Sequence, residues 1–193
     1  MKAPLRKAPK DRGILITFEG TEGAGKTTLI RAVEALLLKN TKRNVIKTRE
    51  PGGVPVSEMI RQLILNQEMS PKTELFLYEA ARAEHLVKVI EPALRAKHWV
   101  LCDRFTDSTV AYQGMARGIP LKEVHLANHL ATSGLKPDLT VLVKIDPELG
   151  LKRAREITRF ELAGVEFQKK VLRGFLASAK AEPKRWFVLE VQK

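Results

Sequence analysis

The stretch GILITFEGTEGAGKTTLIRAVEALLLKN, residues 13–40, limits the possible folds of this chain more than any other. GILITF at 13–18 is a short run rich in β-branched residues, which predicts a buried strand. TTLIRAVEALLLKN then carries apolar residues at helical spacing. Between them, Gly20, Gly25, Lys26 and Thr27 match the spacing G-x-x-x-x-G-K-[ST]. The glycines permit backbone angles that turn successive N–H groups inward, making a nest for phosphate oxygens. Lys26 brings a point charge to the β- and γ-phosphates of a nucleoside triphosphate, and the Thr27 hydroxyl suits Mg²⁺. The helix that follows turns its positive end towards the same anion.

The rest of the chain continues the alternation of strand and helix. NVIKT (44–48), WVLCD (99–103), LTVLVKI (139–145) and WFVLEV (186–191) read as further strands. SEMIRQLIL, TELFLYEAARAEHLVKVIEPAL and LKEVHLANHLA read as helices, the second capped by Thr73. Helical stretches also fall at 147–156 and roughly 164–181. This order predicts an α/β fold of the P-loop NTPase type, three layers α/β/α around a parallel sheet of about five strands. Ligands in such a fold sit beyond the carboxyl ends of the strands. No repeat or linker divides the chain, so residues 13–193 are expected to form one domain behind a basic tail at 1–12.

Composition narrows the partners. A net charge of +12 raises nucleic acid as a partner, but aromatics are only 6% and do not interleave with the basic residues. An enzyme acting on phosphorylated small molecules uses the same charge, and a nucleic-acid surface is the lesser reading. There is no apolar run of membrane-spanning length and no apolar core in the basic N-terminus, so neither a membrane partner nor a secretory signal is expected. One cysteine, Cys102, cannot form an intramolecular disulfide and fits a cytoplasmic location.

A phosphate loop alone serves GTPases, motors and small-molecule kinases. No guanine-reading N-K-x-D segment follows, and a motor is typically larger. The chain offers instead TREPGG (48–53), LYEAARAEHL (77–86) and DRFTDSTVAYQGMARG (103–118). With the phosphate loop, in this order, these segments resemble thymidylate kinase from about Gly13 to Phe187. The resemblance implies transfer of the γ-phosphoryl of ATP to dTMP, with Mg²⁺, in a homodimer. A kinase for another nucleoside monophosphate or deoxynucleoside is the alternative enzyme, and a nucleotide- or nucleic-acid-binding module without catalysis is the alternative of a different class.

It also implies residue roles. Gly20, Thr21, Glu22, Gly23, Ala24, Gly25, Lys26, Thr27 and Thr28 would hold ATP, with Lys26 catalytic. Arg49 and Arg104 would grip the dTMP phosphate, where guanidinium forks match phosphoryl oxygens, and Pro51 would shape the acceptor loop. Tyr78, where the family usually has phenylalanine, would stack on thymine; Arg82, four residues on and on the same helix face, would bond its O4. Gln113 would bond the base or sugar, with Thr109 nearby and Tyr112 crowding the 2′ position. Asp103, ending a strand, would help to place Mg²⁺ together with Thr27, and Glu19 would point into the same cleft. Thr21, Glu22, Gly23 and Ala24 inside the phosphate loop include no basic residue, so further charge for the transition state is expected from a lid at about 153–164. The lid offers Arg153, Arg155 and Arg159, of which Arg159 best matches the family's lid pattern, with Thr158 where aspartate is common.

Overall fold

The computed structural model describes residues 11–154 and 158–191 of the chain. The tail before Asp11, and Arg155 of the lid, lie outside the described residues.

Five strands form one parallel sheet: β1 (Ile14–Glu19), β2 (Val45–Arg49), β3 (Trp99–Asp103), β4 (Leu139–Lys144) and β5 (Trp186–Glu190), in the order β2-β3-β1-β4-β5. Because successive strand residues face opposite sides, β1 feeds two cores. Leu15 packs with Val100 and Cys102 against Leu86, Ile90 and Leu94, while Ile16 and Phe18 pack with Leu101 and Val141 against Ile30. Every residue of β1 is buried, which is why it reads as a continuous apolar run rather than an alternating one.

The chain leaves β1 for β2, returns to β3 beside β1, and then crosses to β4 on the other side. That reversal opens a crevice at the carboxyl ends of β1 and β3, as in other doubly wound sheets. In register, Phe18 and Arg49 both lie beside Asp103, so the ends of β1, β2 and β3 meet along one edge.

The covering helices are α1 (Lys26–Asn40), α2 (Pro55–Asn66), α3 (Pro71–His85), α4 (Glu91–Arg95), α5 (Thr106–Thr109), α6 (Leu121–Thr132), α7 (Pro147–Arg153), α8 (Arg159–Leu162) and α9 (Gly164–Ala181). α3 starts earlier than the sequence predicts. Ser70, not Thr73, is the cap: its hydroxyl accepts the Thr73 N–H, and Pro71 takes the first position, where no N–H is needed. The long helix expected through residue 94 widens into a π turn at Leu86–Ile90 before α4. Pro92 has no N–H to continue the ladder, and the wider turn absorbs the defect. A second π turn, Val110–Ala116, follows α5 and packs on α9, where Gly174 lets the two backbones approach: a Cβ there would lie 2.8 Å from Ala111 Cα. The helix expected at 147–156 ends at Arg153. Among the described residues of the expected lid, one helical turn forms, α8, started by a capping box between Thr158 and Glu161.

Candidate functional site

The phosphate loop leaves β1 at the sheet's carboxyl edge and enters α1 at Lys26. Gly20, Gly23 and Gly25 have φ of 150°, 68° and 91°, a region that favours glycine and lets the loop curl. Lys26 is folded back, its Nζ donating to the carbonyls of Gly20 (3.2 Å) and Thr21 (3.1 Å). Burial and the neighbouring Arg104 guanidinium lower its pKa from the ordinary lysine value. Thr27 and Thr28 are exposed at the mouth of the loop, and Thr27 Oγ1 donates to Asp103 Oδ2 at 3.5 Å.

Beside the loop lies a cavity of ≈ 100 Å³ between α2, α3, the Val110–Ala116 turn and the lid. Arg104 joins the loop to the cavity. Its backbone sits in the left-handed region at φ 69°, a strained conformation for arginine, and its N–H donates to Phe18 O. Nη1 donates to Gly20 O (3.1 Å) and Ser108 Oγ (3.3 Å), Nη2 to Glu22 Oε1 (2.6 Å), and the guanidinium lies over the Tyr112 ring. Glu22 therefore departs from its expected place among the triphosphate contacts. Its carboxylate walls the cavity, accepts the Tyr112 hydroxyl at 2.9 Å, and stays below the usual range because Arg104 and Lys26 outweigh its burial.

Glu19 also departs from expectation. Fully buried beneath the cleft, it accepts the Phe105 N–H (2.9 Å) and the Ser108 hydroxyl (2.6 Å), and it does not line the cavity. Burial, with the nearby Asp107 charge, pushes its carboxyl up to about 8. It holds the turn that carries Arg104.

Arg82 lines the cavity but is 2% exposed and heavily engaged. Nε donates to Glu50; Nη1 faces Glu79, Thr109 and Asn128; Nη2 donates to Phe105 O. One Nη2 hydrogen has no acceptor among the described residues. Glu50 in turn faces His85 Nδ1 at 3.0 Å, and His85 Nε2 meets Thr48 Oγ1 at 2.6 Å, so the REPGG loop is tied to α3 from within.

Tyr78, Thr109, Tyr112, Gln113 and Pro51 all wall the cavity. Phe160 of α8 enters between the two tyrosines, edge-on to Tyr78 (6.4 Å) and Tyr112 (5.8 Å). Burial raises the phenolic pKa of both tyrosines, keeping them neutral.

Three expected arginines stand elsewhere. Arg49 is 55% exposed and forks onto Glu58 (2.9 and 3.0 Å), outside the cavity wall. Arg153 is exposed at the end of α7. Arg159 pairs with Glu74 at 2.6 Å and donates to Ile64 O, contacts on the α2–α3 side and not on the phosphate loop. Sequence reasoning missed Arg61, which lines the cavity and donates to Pro51 O at 3.1 Å. It also missed the buried carboxylates Glu50 and Glu74. An arginine on an amphipathic helix reads like any solvated charge, so no local signal marks Arg61; Glu50 stands inside the REPGG segment, the one signal that could have found it.

A family model described as thymidylate kinase matches residues 18–193. Thymidylate kinase of Enterococcus faecalis is 46% identical over 182 residues, covering 90% of this chain and 86% of the relative. That of Geotalea uraniireducens is 48% identical over 191 residues, covering 92% and 89%. The crystal structure of thymidylate kinase from Ehrlichia chaffeensis superposes with a TM-score of 0.80 at 36% identity, covering 94% of this chain and 88% of that one.

Proposed function

The chain belongs to the thymidylate kinase family, and on that premise we propose how its residues divide the work of moving the γ-phosphoryl of ATP onto dTMP to give dTDP. The loop N–H groups and Lys26 hold the donor phosphates, Lys26 exchanging the carbonyls of Gly20 and Thr21 for phosphate oxygens. Arg104 and Arg61 take the acceptor phosphate. Tyr78 offers the thymine a ring face, while the spare Nη2 hydrogen of Arg82 and the amide of Gln113 meet the base edge. Tyr112 and Thr109 wall the cavity where the sugar lies, favouring a deoxyribose. The observation that carries this reading is Arg104: one guanidinium touches the phosphate loop at Gly20 and walls the acceptor cavity. Two nucleotide phosphates bound on its two sides meet there, and for phosphoryl transfer most of catalysis is such positioning with positive charge.

Thr27 and Asp103 present a hydroxyl and a carboxylate oxygen 3.5 Å apart at the loop mouth, hard donors that fit Mg²⁺. Held by these two residues, such an ion would supply positive charge to the donor phosphates. The lid supplies further positive charge from Arg153 or Arg159, the latter after leaving Glu74.

The test is ADP release with ATP and Mg²⁺, offering dTMP, dUMP, dCMP, dGMP and AMP as acceptors. Turnover greatest on dTMP is expected. ATP binding without turnover on any acceptor overturns the reading.

In the same reading the protein is a cytoplasmic homodimer. Met59 and Leu63 of α2, Phe76 of α3, Val87 beyond it, and Leu126 and Leu130 of α6 are exposed apolar residues on helices that pack side by side. A second copy covering them removes that surface from water. Sedimentation equilibrium is expected to give a dimer, and Phe76→Glu a monomer; a wild-type monomer at micromolar concentration overturns this part.

A further inference from the structure

Glu74 lies on α3, one turn before Tyr78, and is 1% exposed. Among the roles above it serves only as the partner that Arg159 leaves. Its Oε1 accepts Gln113 Nε2 at 2.6 Å and Arg117 Nε at 3.4 Å; its Oε2 pairs with Arg159 at 2.6 Å and Arg117 at 3.2 Å. A carboxylate set between guanidinium groups only accepts hydrogen bonds. It therefore decides which end of the Gln113 amide faces it: the NH₂ end. The amide is planar, so its carbonyl, Oε1, is turned the other way. Gln113 walls the acceptor cavity, and no donor among the described residues reaches Oε1.

We propose that Glu74 is a positioning residue that sets the base preference of the acceptor cavity by locking the Gln113 amide, so that the cavity offers an acceptor to a base with a ring N–H. Thymine and uracil present that hydrogen. Cytosine presents a ring lone pair at the same place and meets an oxygen. An unlocked glutamine turns its amide at little cost and reads either pattern. Locked, it leaves the wrong base with two opposed acceptors, a repulsive element of the kind specificity requires. The inference rests on the dTMP-acceptor reading and extends it to a residue that touches no substrate.

The experiment compares kcat/KM for dTMP and dCMP in the wild type and in Glu74→Gln, with a melting curve to show that the variant is folded. A neutral glutamine at 74 donates as well as accepts, so the Gln113 amide is free to turn. The dTMP-to-dCMP ratio is expected to fall at least about tenfold, since one misplaced polar contact in a buried site is worth that much or more. A folded variant that loses both activities in equal proportion has lost only packing for Arg117 and Arg159, and that result overturns the inference. Should Glu74→Gln not fold, the wild type carries the test with N3-methylated dTMP, which lacks the ring hydrogen. Efficiency equal to that on dTMP overturns the inference; a loss of about a hundredfold upholds it. Wild-type enzyme without dTMP turnover overturns the acceptor reading itself, whereas turnover with an unchanged ratio in the variant overturns this inference alone.

Discussion

The phosphate loop spends consecutive residues, Gly20 to Thr27, on one nest of backbone N–H groups, while the cavity beside it takes its walls from α2, α3, the Val110–Ala116 turn and the lid. The mouth of the loop, Gly25, Thr27 and Thr28, is exposed. The cavity wall is lined with charged and polar groups that already have carboxylate partners: Arg82 with Glu50 and Glu79, Arg104 with Glu22, Gln113 with Glu74. Backbone groups serve a triphosphate because any phosphate oxygen will do. A base edge has to be told from its near relatives, and that takes side chains held in one orientation by buried partners.

If this contrast is right, damage to the cavity's buried pairs should first cost folding, and damage to the loop should first cost rate. The largest effect is expected from Arg82→Ala, which strands Glu50 and Glu79 without their guanidinium. A loss of about 3–5 kcal/mol in urea-unfolding free energy is expected, the usual result of breaking a buried pair from one side. An unchanged midpoint breaks the comparison.

Glu19, at the seam between loop and cavity, gives the pH dependence. Its carboxyl sits at about 8 in the folded chain against an ordinary value of 4.5. The folded state therefore holds a proton that the unfolded state releases, and stability falls as pH rises from about 4.5 to about 8. The slope is at most about 1.4 kcal/mol per pH unit. Urea midpoints of Glu19→Gln across that window are expected to fall less steeply than those of the wild type; parallel curves sink the assignment.

Lys26→Ala should leave the fold and dTMP affinity intact while kcat falls about 10²–10³-fold, the scale of one lost charge-stabilising donor. Calorimetry with dTMP beside the ADP-release assay separates the two, and a large loss of dTMP affinity would merge loop and cavity into one unit. The smallest effects sharpen the cavity's edge. Arg61→Ala, inside the wall, is expected to raise KM for dTMP about tenfold or more, as for a lost charge-assisted bond. Arg49→Ala removes a pair that is half in solvent and should cost only a few-fold. The reverse order would return Arg49 to the acceptor phosphate.

How much could be read in advance follows the same division. The five strands, the loop and the helix behind it were legible because each depends on neighbours in sequence: period, glycine dihedrals and a strand before a helix. Two misread boundaries came from proline chemistry, at Pro71 and Pro92. The motif segments singled out Tyr78, Arg82, Tyr112 and Gln113, and the fold brings all four to the wall of one cavity. They did not foresee that Glu22 would turn from the loop to Arg104, or that Glu19 would be buried beneath it.

By itself, then, the sequence determined a parallel α/β sheet with a triphosphate nest at its carboxyl edge, since strand period and loop dihedrals are local properties of the chain. Only the tertiary structure decided which charges face the cavity and which are struts. Arg61 and Arg49, or Glu74 and Glu58, look alike in sequence. Their difference is burial, and burial is set by residues such as Gln113 and Arg117, far along the chain, that packing brings to the same carboxylate.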